Sequence, residues 1–186
     1  ANDLAMALHA RRIRYAQELS KALTKEVESL KMKGATINID LRTAESLSKN
    51  GLTLIEFKAE TNPGEGFFKI KDIASGGELS RILLALRTLL SSKDSISVFL
   101  FDEIDTGIGG ETANTVGKAL SKVSKNSQVI AITHLPQIAK YSDNLIKVQK
   151  EIINKEGVER TISTVNQISK SDLDEELISM TGLKTP

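Results

Sequence analysis

The segment Ile96–Phe101 ends in four apolar residues, Val98-Phe99-Leu100-Phe101, that run straight into Asp102 and Glu103. A short run with no polar face belongs in a parallel sheet covered on both sides. Carboxylates at the end of such a strand lie where open α/β sheets gather their ligand-binding groups. A second run, Gln128-Val129-Ile130-Ala131-Ile132-Thr133, has the same build and leads into His134. Between the two, Thr112–Ser124 has the apolar spacing of an amphipathic helix. Strand, helix, strand in that order predicts a right-handed parallel crossover, with both strand ends on one side of the sheet. The chain is therefore expected to be α/β.

The remaining segments fit around this unit. Asp3–Lys33 contains no Gly or Pro and is rich in helix formers, which predicts one long helix. Leu4, Leu8, Tyr15, Leu19, Leu23, Val27 and Leu30 form its apolar stripe, interrupted near its start by Arg11, Arg12 and Arg14. At ~1.5 Å per residue such a rod is roughly 45 Å long, which is long for a small domain. It reads either as a surface helix on its own sheet or as the stub of a coiled coil. Gly34 is expected to end it. Thr36–Leu41 and Leu52–Ala59 read as strands around a turn at Lys49-Asn50-Gly51, and Thr61–Gly66 as a loop. Ile70–Ala74 leads to a Gly pair, and Glu78–Leu90 is an apolar helix. Asn144–Lys150 and Glu159–Val165 flank Asn154-Lys155-Glu156-Gly157 as a β-hairpin. Ser171–Met180 reads as a short terminal helix with a Ser cap and an acidic first turn.

Composition removes several function classes. The chain of 186 residues suffices for one domain with one core. It has no Cys and only two His, His9 and His134, which excludes disulfides, thiolate metal sites and a multi-histidine zinc site. The absence of Cys fits a cytoplasmic protein. A net charge of +1 gives no whole-surface attraction for nucleic acid. Lys and Arg cluster at Arg11–Arg14 and Lys21–Lys33, a pattern that a solvated helix face also produces. No apolar run is long enough to span a membrane, and Ala1–Arg14 lacks the build of a signal peptide. The chain starts without Met in what reads as mid-helix, so it is expected to be part of something longer.

Three motifs carry chemistry. Ser75-Gly76-Gly77-Glu78 opens an apolar helix: the Gly pair allows close backbone approach, the helix start favours an anion, and Ser75 adds a hydroxyl donor. Asp102 is placed to hold Mg²⁺, directly or through water, and Glu103 to orient or deprotonate a water. His134 is placed to donate to a γ-phosphate. Singly, each has a plainer reading as a turn, a cap or a surface histidine. In combination they are more specific, because 27 residues separate Ser75 from Asp102 and 32 separate Asp102 from His134. Each interval holds one helix-and-strand crossover.

Ala74–Arg81 (ASGGELSR), Val98–Asp105 (VFLFDEID) and Thr133–Ala139 (THLPQIA) resemble the signature, Walker B and switch-histidine segments of ABC ATPases, above all their SMC-like branch. Asp105–Ala113 (DTGIGGETA), Thr61–Glu65 (TNPGE) and His9–Leu19 (HARRIRYAQEL) are similar to the members of that branch that serve DNA double-strand-break repair and recombination. The resemblance implies the C-terminal lobe of an ABC/SMC-type ATPase head, a P-loop NTPase-like parallel sheet with flanking helices. Residues 1–33 would be the end of a coiled coil and 34–186 the head lobe. It further implies that Ser75, Gly76, Gly77 and Glu78 contact the γ-phosphate of ATP bound to a second head. Asp102 would serve the Mg²⁺ site, Glu103 would polarise the water and His134 would contact the γ-phosphate. Asp105, Thr106 and Gly107 would lie near the dimer face. The implied partners are the N-terminal lobe of the same protein, a second head in a homodimer, and DNA, with no membrane and a cytoplasmic, nucleoid-associated location.

Two departures qualify this. Gly109 stands where SMC heads often carry an Asp. No Gly-x-x-x-x-Gly-Lys-[Ser/Thr] occurs in the chain, so it is expected to bind ATP poorly and hydrolyse little or none by itself. The phosphate loop is expected on an N-terminal lobe across the coiled coil. Competing readings are the head of another SMC-like chromosome ATPase, a transporter's nucleotide domain, and a non-catalytic interaction module.

Overall fold

The first helix of the computed structural model, α1 (Asn2–Ser29), spans 28 residues, roughly 42 Å. The structure describes residues 1–73, 75–90, 96–155 and 158–182. The helix stops four residues short of the expected Lys33, and Gly34 is not its cap. Lys31, at φ 64°, takes the left-handed cap position instead. Its N–H reaches Glu28 O at 2.9 Å and Met32 N–H reaches Val27 O at 3.4 Å, the paired bonds of a Schellman motif. The reason is burial: Leu30 is 1% and Met32 8% exposed, and a continued helix would point them apart.

Only the second half of the α1 stripe is packed. Leu23, Val27 and Leu30 are buried in the core, whereas Leu4 is 78% and Tyr15 53% exposed. Beside that open half lies a groove of about 440 Å³, lined by Leu8, Arg12 and Tyr15 of α1 and by Leu41 and Phe57 of the sheet it rests on.

That sheet is antiparallel: β1 (Thr36–Ser48), β2 (Gly51–Glu60) and the two-residue β3 (Phe68–Lys69) pair in order. Both longer strands extend past their expected ends, and β3 falls in a stretch with no strand expected. The turn at Lys49 and Asn50 and the loop from Thr61 are where the sequence places them. The edge of β1 is closed by α1 side chains, because Thr24 Oγ1 and Ser20 Oγ accept the N–H groups of Ile37 and Ile39 at 3.0 and 3.1 Å. Ile70–Asp72 is a turn of 3₁₀ helix, and Ala74 lies outside the described residues.

The second layer is the expected crossover. Helix α2 (Gly76–Leu90) precedes β4 (Val98–Phe101), α3 (Gly110–Val123) and β5 (Gln128–Ala131). β4 and β5 pair in parallel, from Val98 opposite Gln128 to Phe101 opposite Ala131. Phe99 and Phe101 join Ile82, Leu84, Val116 and Leu120 in the core. The expectation of strands buried on both faces fails here. Val98 is 49%, Leu100 63%, Ile130 46% and Ile132 56% exposed. The described residues supply α2 and α3 as cover for one face and no layer for the other.

Past β5, the short helix α4 (Pro136–Ala139) lies against α3 at Gly117, where a Cβ would collide with the Tyr141 ring. β6 (Leu145–Lys155) and β7 (Val158–Ile168) form the expected hairpin, longer than anticipated. Its turn residues Glu156 and Gly157 lie outside the described residues. The last helix, α5 (Leu173–Met180), starts after Asp172 rather than at Ser171. Ser171 Oγ donates to Asp172 Oδ1 at 3.0 Å instead of capping the helix.

Candidate nucleotide-binding site

Parallel pairing brings the ends of β4 and β5 side by side, and Ile132 N–H donates to Phe101 O at 3.0 Å just beyond the ladder. The loop after Phe101 and the turn before α4 therefore emerge together, as the spacing of the motifs requires. The start of α2 meets the same loop.

At that helix start Ser75 is the cap. Its Oγ accepts the Glu78 N–H at 3.3 Å, the N-cap bond of a Ser-x-x-Glu pattern. Because Oγ accepts, the hydroxyl proton stays available for an anion in front of the helix. The N–H groups of Gly76 and Gly77 have no acceptor within the helix, as at any helix start. The Gly pair is used first by the protein itself. A Cβ on Gly76 would collide with Glu103 Oε2, and one on Gly77 would lie 3.0 Å from Thr106 Cβ and 3.1 Å from Glu103 O. Sequence reasoning reserved this close approach for a ligand; the structure gives it to the Glu103 loop.

Asp102 and Glu103 are both exposed at the strand end. Asp102 Oδ1 accepts the Glu103 N–H at 2.8 Å. Glu103 sits at φ 56°, a left-handed conformation rare outside Gly and commonest at functional sites. The loop is tied to α2 by two side chains that the sequence did not single out. Ser80 Oγ donates to Asp102 O at 2.7 Å, and Arg81 Nη1 donates to Thr106 O at 2.9 Å. Arg81 is buried, 6% exposed, and its Nε has no hydrogen-bond partner among the described residues. Burial pushes its guanidinium down from its ordinary value, with the charge of Glu78 opposing.

His134 has an exposed side chain and is fixed from behind. Asp105 Oδ2 accepts the Thr133 hydroxyl at 2.6 Å and the His134 N–H at 2.8 Å, and lies 3.0 Å from His134 Nδ1. Asp105 is 5% exposed, and its carboxylate faces the His134 turn. No local pattern announces this contact, since 28 residues separate Asp105 from Thr133.

The donors suit phosphate oxygens and a divalent cation. Among the described residues, no group of three or more His, Cys, Asp or Glu could hold a metal by itself. Magnesium asks for less, one or two carboxylates with phosphate and water completing its shell, and Asp102 can supply one. No helix of the described residues is long and apolar enough to cross a membrane.

No protein-family model matches the chain. It is 44% identical over 183 residues to the DNA repair protein RecN of Rickettsia conorii, which covers 98% of this chain and 33% of that protein. It is 36% identical over 177 residues to RecN of Vibrio cholerae, and 35% identical over 173 residues to RecN of Bacillus subtilis. Those matches cover 95% and 85% of this chain, and 31% and 29% of the relatives. The chain thus spans about a third of the length of these relatives, their C-terminal third. In fold it is similar to the Smc head domain of Pyrococcus furiosus, with a TM-score of 0.58 at 22% identity over 97% of this chain and 42% of that one. It is also similar to a chain from a study of ATP-driven dimerisation and DNA-stimulated activation of SMC ATPases, with a TM-score of 0.51 at 21% identity over 96% of this chain and 99% of that one. By sequence, this chain belongs to the RecN family, whose members it matches over their C-terminal third.

Proposed function

We propose that this chain is the signature lobe of an ATP-hydrolysing head that works in DNA double-strand-break repair and recombination. The observation that carries the reading is the meeting of the Ser75 helix start, the Asp102–Asp105 loop and the His134 turn at one end of the parallel pair. The phosphate loop comes from an N-terminal lobe of the same protein, reached through a coiled coil that α1 continues. The apolar face of Val98, Leu100, Ile130 and Ile132, and the open half of the α1 stripe, support both contacts. The protein acts in the cytoplasm on chromosomal DNA.

Two heads close on two ATP molecules. Ser75, Gly76, Gly77 and Glu78 of each head meet the γ-phosphate of the ATP held by the other. Asp102 would hold Mg²⁺, which would supply neutralisation of phosphate charge. Glu103 orients the attacking water and accepts its proton, and His134 donates to the γ-phosphate. Positioning and fixed charge account for most of the catalysis in such a site.

Sharing of sites makes a mixing test decisive. A Ser75→Arg protein and a Glu103→Gln protein, each at full length, are both expected to hydrolyse ATP poorly. In a mixed dimer one site carries both defects and the other carries none. Mixing should therefore restore roughly a quarter of the normal rate, because half of random symmetric pairs are mixed and each has one intact site. A mixture as inactive as its components contradicts a site built from two heads.

A further inference from the structure

We propose that Arg81 is a positioning residue for Glu103 of its own chain, because it grips the backbone that follows Glu103 while its neighbour Ser80 grips the backbone before it. The inference rests on the reading of Glu103 as the group that orients the attacking water. Glu103 stands at φ 56°, a conformation that persists only where the surroundings impose it. Two consecutive residues of α2 do so here. Ser80 Oγ donates to Asp102 O at 2.7 Å, just before Glu103. Arg81 Nη1 donates to Thr106 O at 2.9 Å and to Ile104 O at 3.4 Å, just after it. The backbone of Glu103 itself is closed locally. Its N–H donates to Asp102 Oδ1 at 2.8 Å, and its carbonyl accepts the Thr106 N–H at 3.0 Å. Gly77 leaves room for the grip, since a Cβ there would lie 3.1 Å from both Arg81 Nη1 and Glu103 O.

A plainer role for Arg81 is to fill space beneath the loop, and a guanidinium is poorly suited to that. It is 6% exposed, and burying a charge costs more than burying an apolar chain of the same length. What an apolar chain cannot supply is a donor to Ile104 O and Thr106 O. The helix that carries Arg81 also carries Ser75 at its start, but the Ser75 end is held by bonds of its own. Ser75 Oγ accepts the Glu78 N–H at 3.3 Å, and Ser75 O accepts the Leu79 N–H at 3.1 Å. The loss of Arg81 therefore falls on the Glu103 loop. In the divided site, Glu103 serves the ATP held by its own head and Ser75 the ATP held by the other, so mixed dimers tell the two effects apart.

Arg81→Met in the full-length protein keeps the length of the side chain and removes its donors. Its kcat is expected to fall about 10- to 100-fold, with KM for ATP and nucleotide-dependent dimerisation little changed. Arg81→Lys, which retains a donor, should recover part of the rate. Mixed with the Ser75→Arg protein, Arg81→Met should reach roughly a quarter of the normal rate, because each mixed dimer has one site with a sound Glu103 loop and a sound Ser75. Mixed with the Glu103→Gln protein it should stay slow, because neither site of that dimer has a working Glu103. If Arg81→Met fails to fold, Ser80→Ala, which removes only the bond to Asp102 O, is read in the same two mixtures with a smaller loss. Rescue by Glu103→Gln and not by Ser75→Arg assigns Arg81 to the Ser75 helix start and overturns the inference. Rescue by neither, or a normal rate in the variant alone, overturns it too. If Ser75→Arg and Glu103→Gln fail to rescue each other, the divided site itself is contradicted and the inference falls with it.

Discussion

Glu103→Gln in the full-length protein should lower ATP hydrolysis by about 10²- to 10⁴-fold, the range expected when a general base is neutralised in place. ATP binding and nucleotide-dependent head dimerisation should survive, because the substitution changes neither the Ser75 helix start nor the α2 contacts of Ser80 and Arg81. The carboxylate is placed at a cost. Glu103 occupies a left-handed conformation that costs about 1–3 kcal/mol for a residue with a Cβ, and its carboxylate lies over Gly76, where a Cβ would push it aside. Gln keeps the volume and the backbone but cannot take a proton. Single-turnover hydrolysis and nucleotide-dependent sizing separate the two readouts. Normal turnover contradicts the assignment of Glu103.

Phe101→Ala should cost about 3–5 kcal/mol of stability, seen as a lowered urea midpoint. Phe101 is 1% exposed, packs with Phe99 at a ring-centroid distance of 6.5 Å, and sits opposite Ala131 on the only parallel ladder among the described residues. Removing it leaves a cavity directly beneath the Asp102–Asp105 loop, so activity should fall along with stability. Leu100→Ala, one residue away, gives the contrast. Leu100 is 63% exposed, and in this chain its truncation should change stability by no more than about 0.5 kcal/mol. If an N-terminal lobe covers that face, the same substitution should become costly in the full-length protein. Equal, small costs in both settings argue that the face stays open.

The contrast between Phe101 and Leu100 also shows how far the sequence could be read. The unbroken apolar runs that end in Asp102-Glu103 and Thr133-His134, with a helical pattern between them, identified both strands, their parallel order and the common end of the site. It could not show that one face is bare, because a sequence records that a residue avoids water and not what covers it. The end of α1 was misplaced for a local reason. A Schellman cap normally advertises itself with Gly, and here Lys31 takes that conformation because Leu30 and Met32 are both drawn into the core. β3 has only two residues and exists through its pairing with Lys58 and Ala59 of β2. The Gly pair, Asp102, Glu103 and His134 were legible from type and spacing. The contacts of Ser80, Arg81, Asp105 and Thr133 were not, since each joins segments far apart in the chain.

The central claim is that this chain holds one part of a divided ATP site, and magnesium-dependent ATP hydrolysis tests it most directly. The chain is assayed alone and then mixed or fused with the N-terminal lobe of its full-length protein. The account predicts silence alone, hydrolysis on complementation, and loss of that activity in Glu103→Gln. Hydrolysis by the chain alone, or none in the complemented protein, contradicts it.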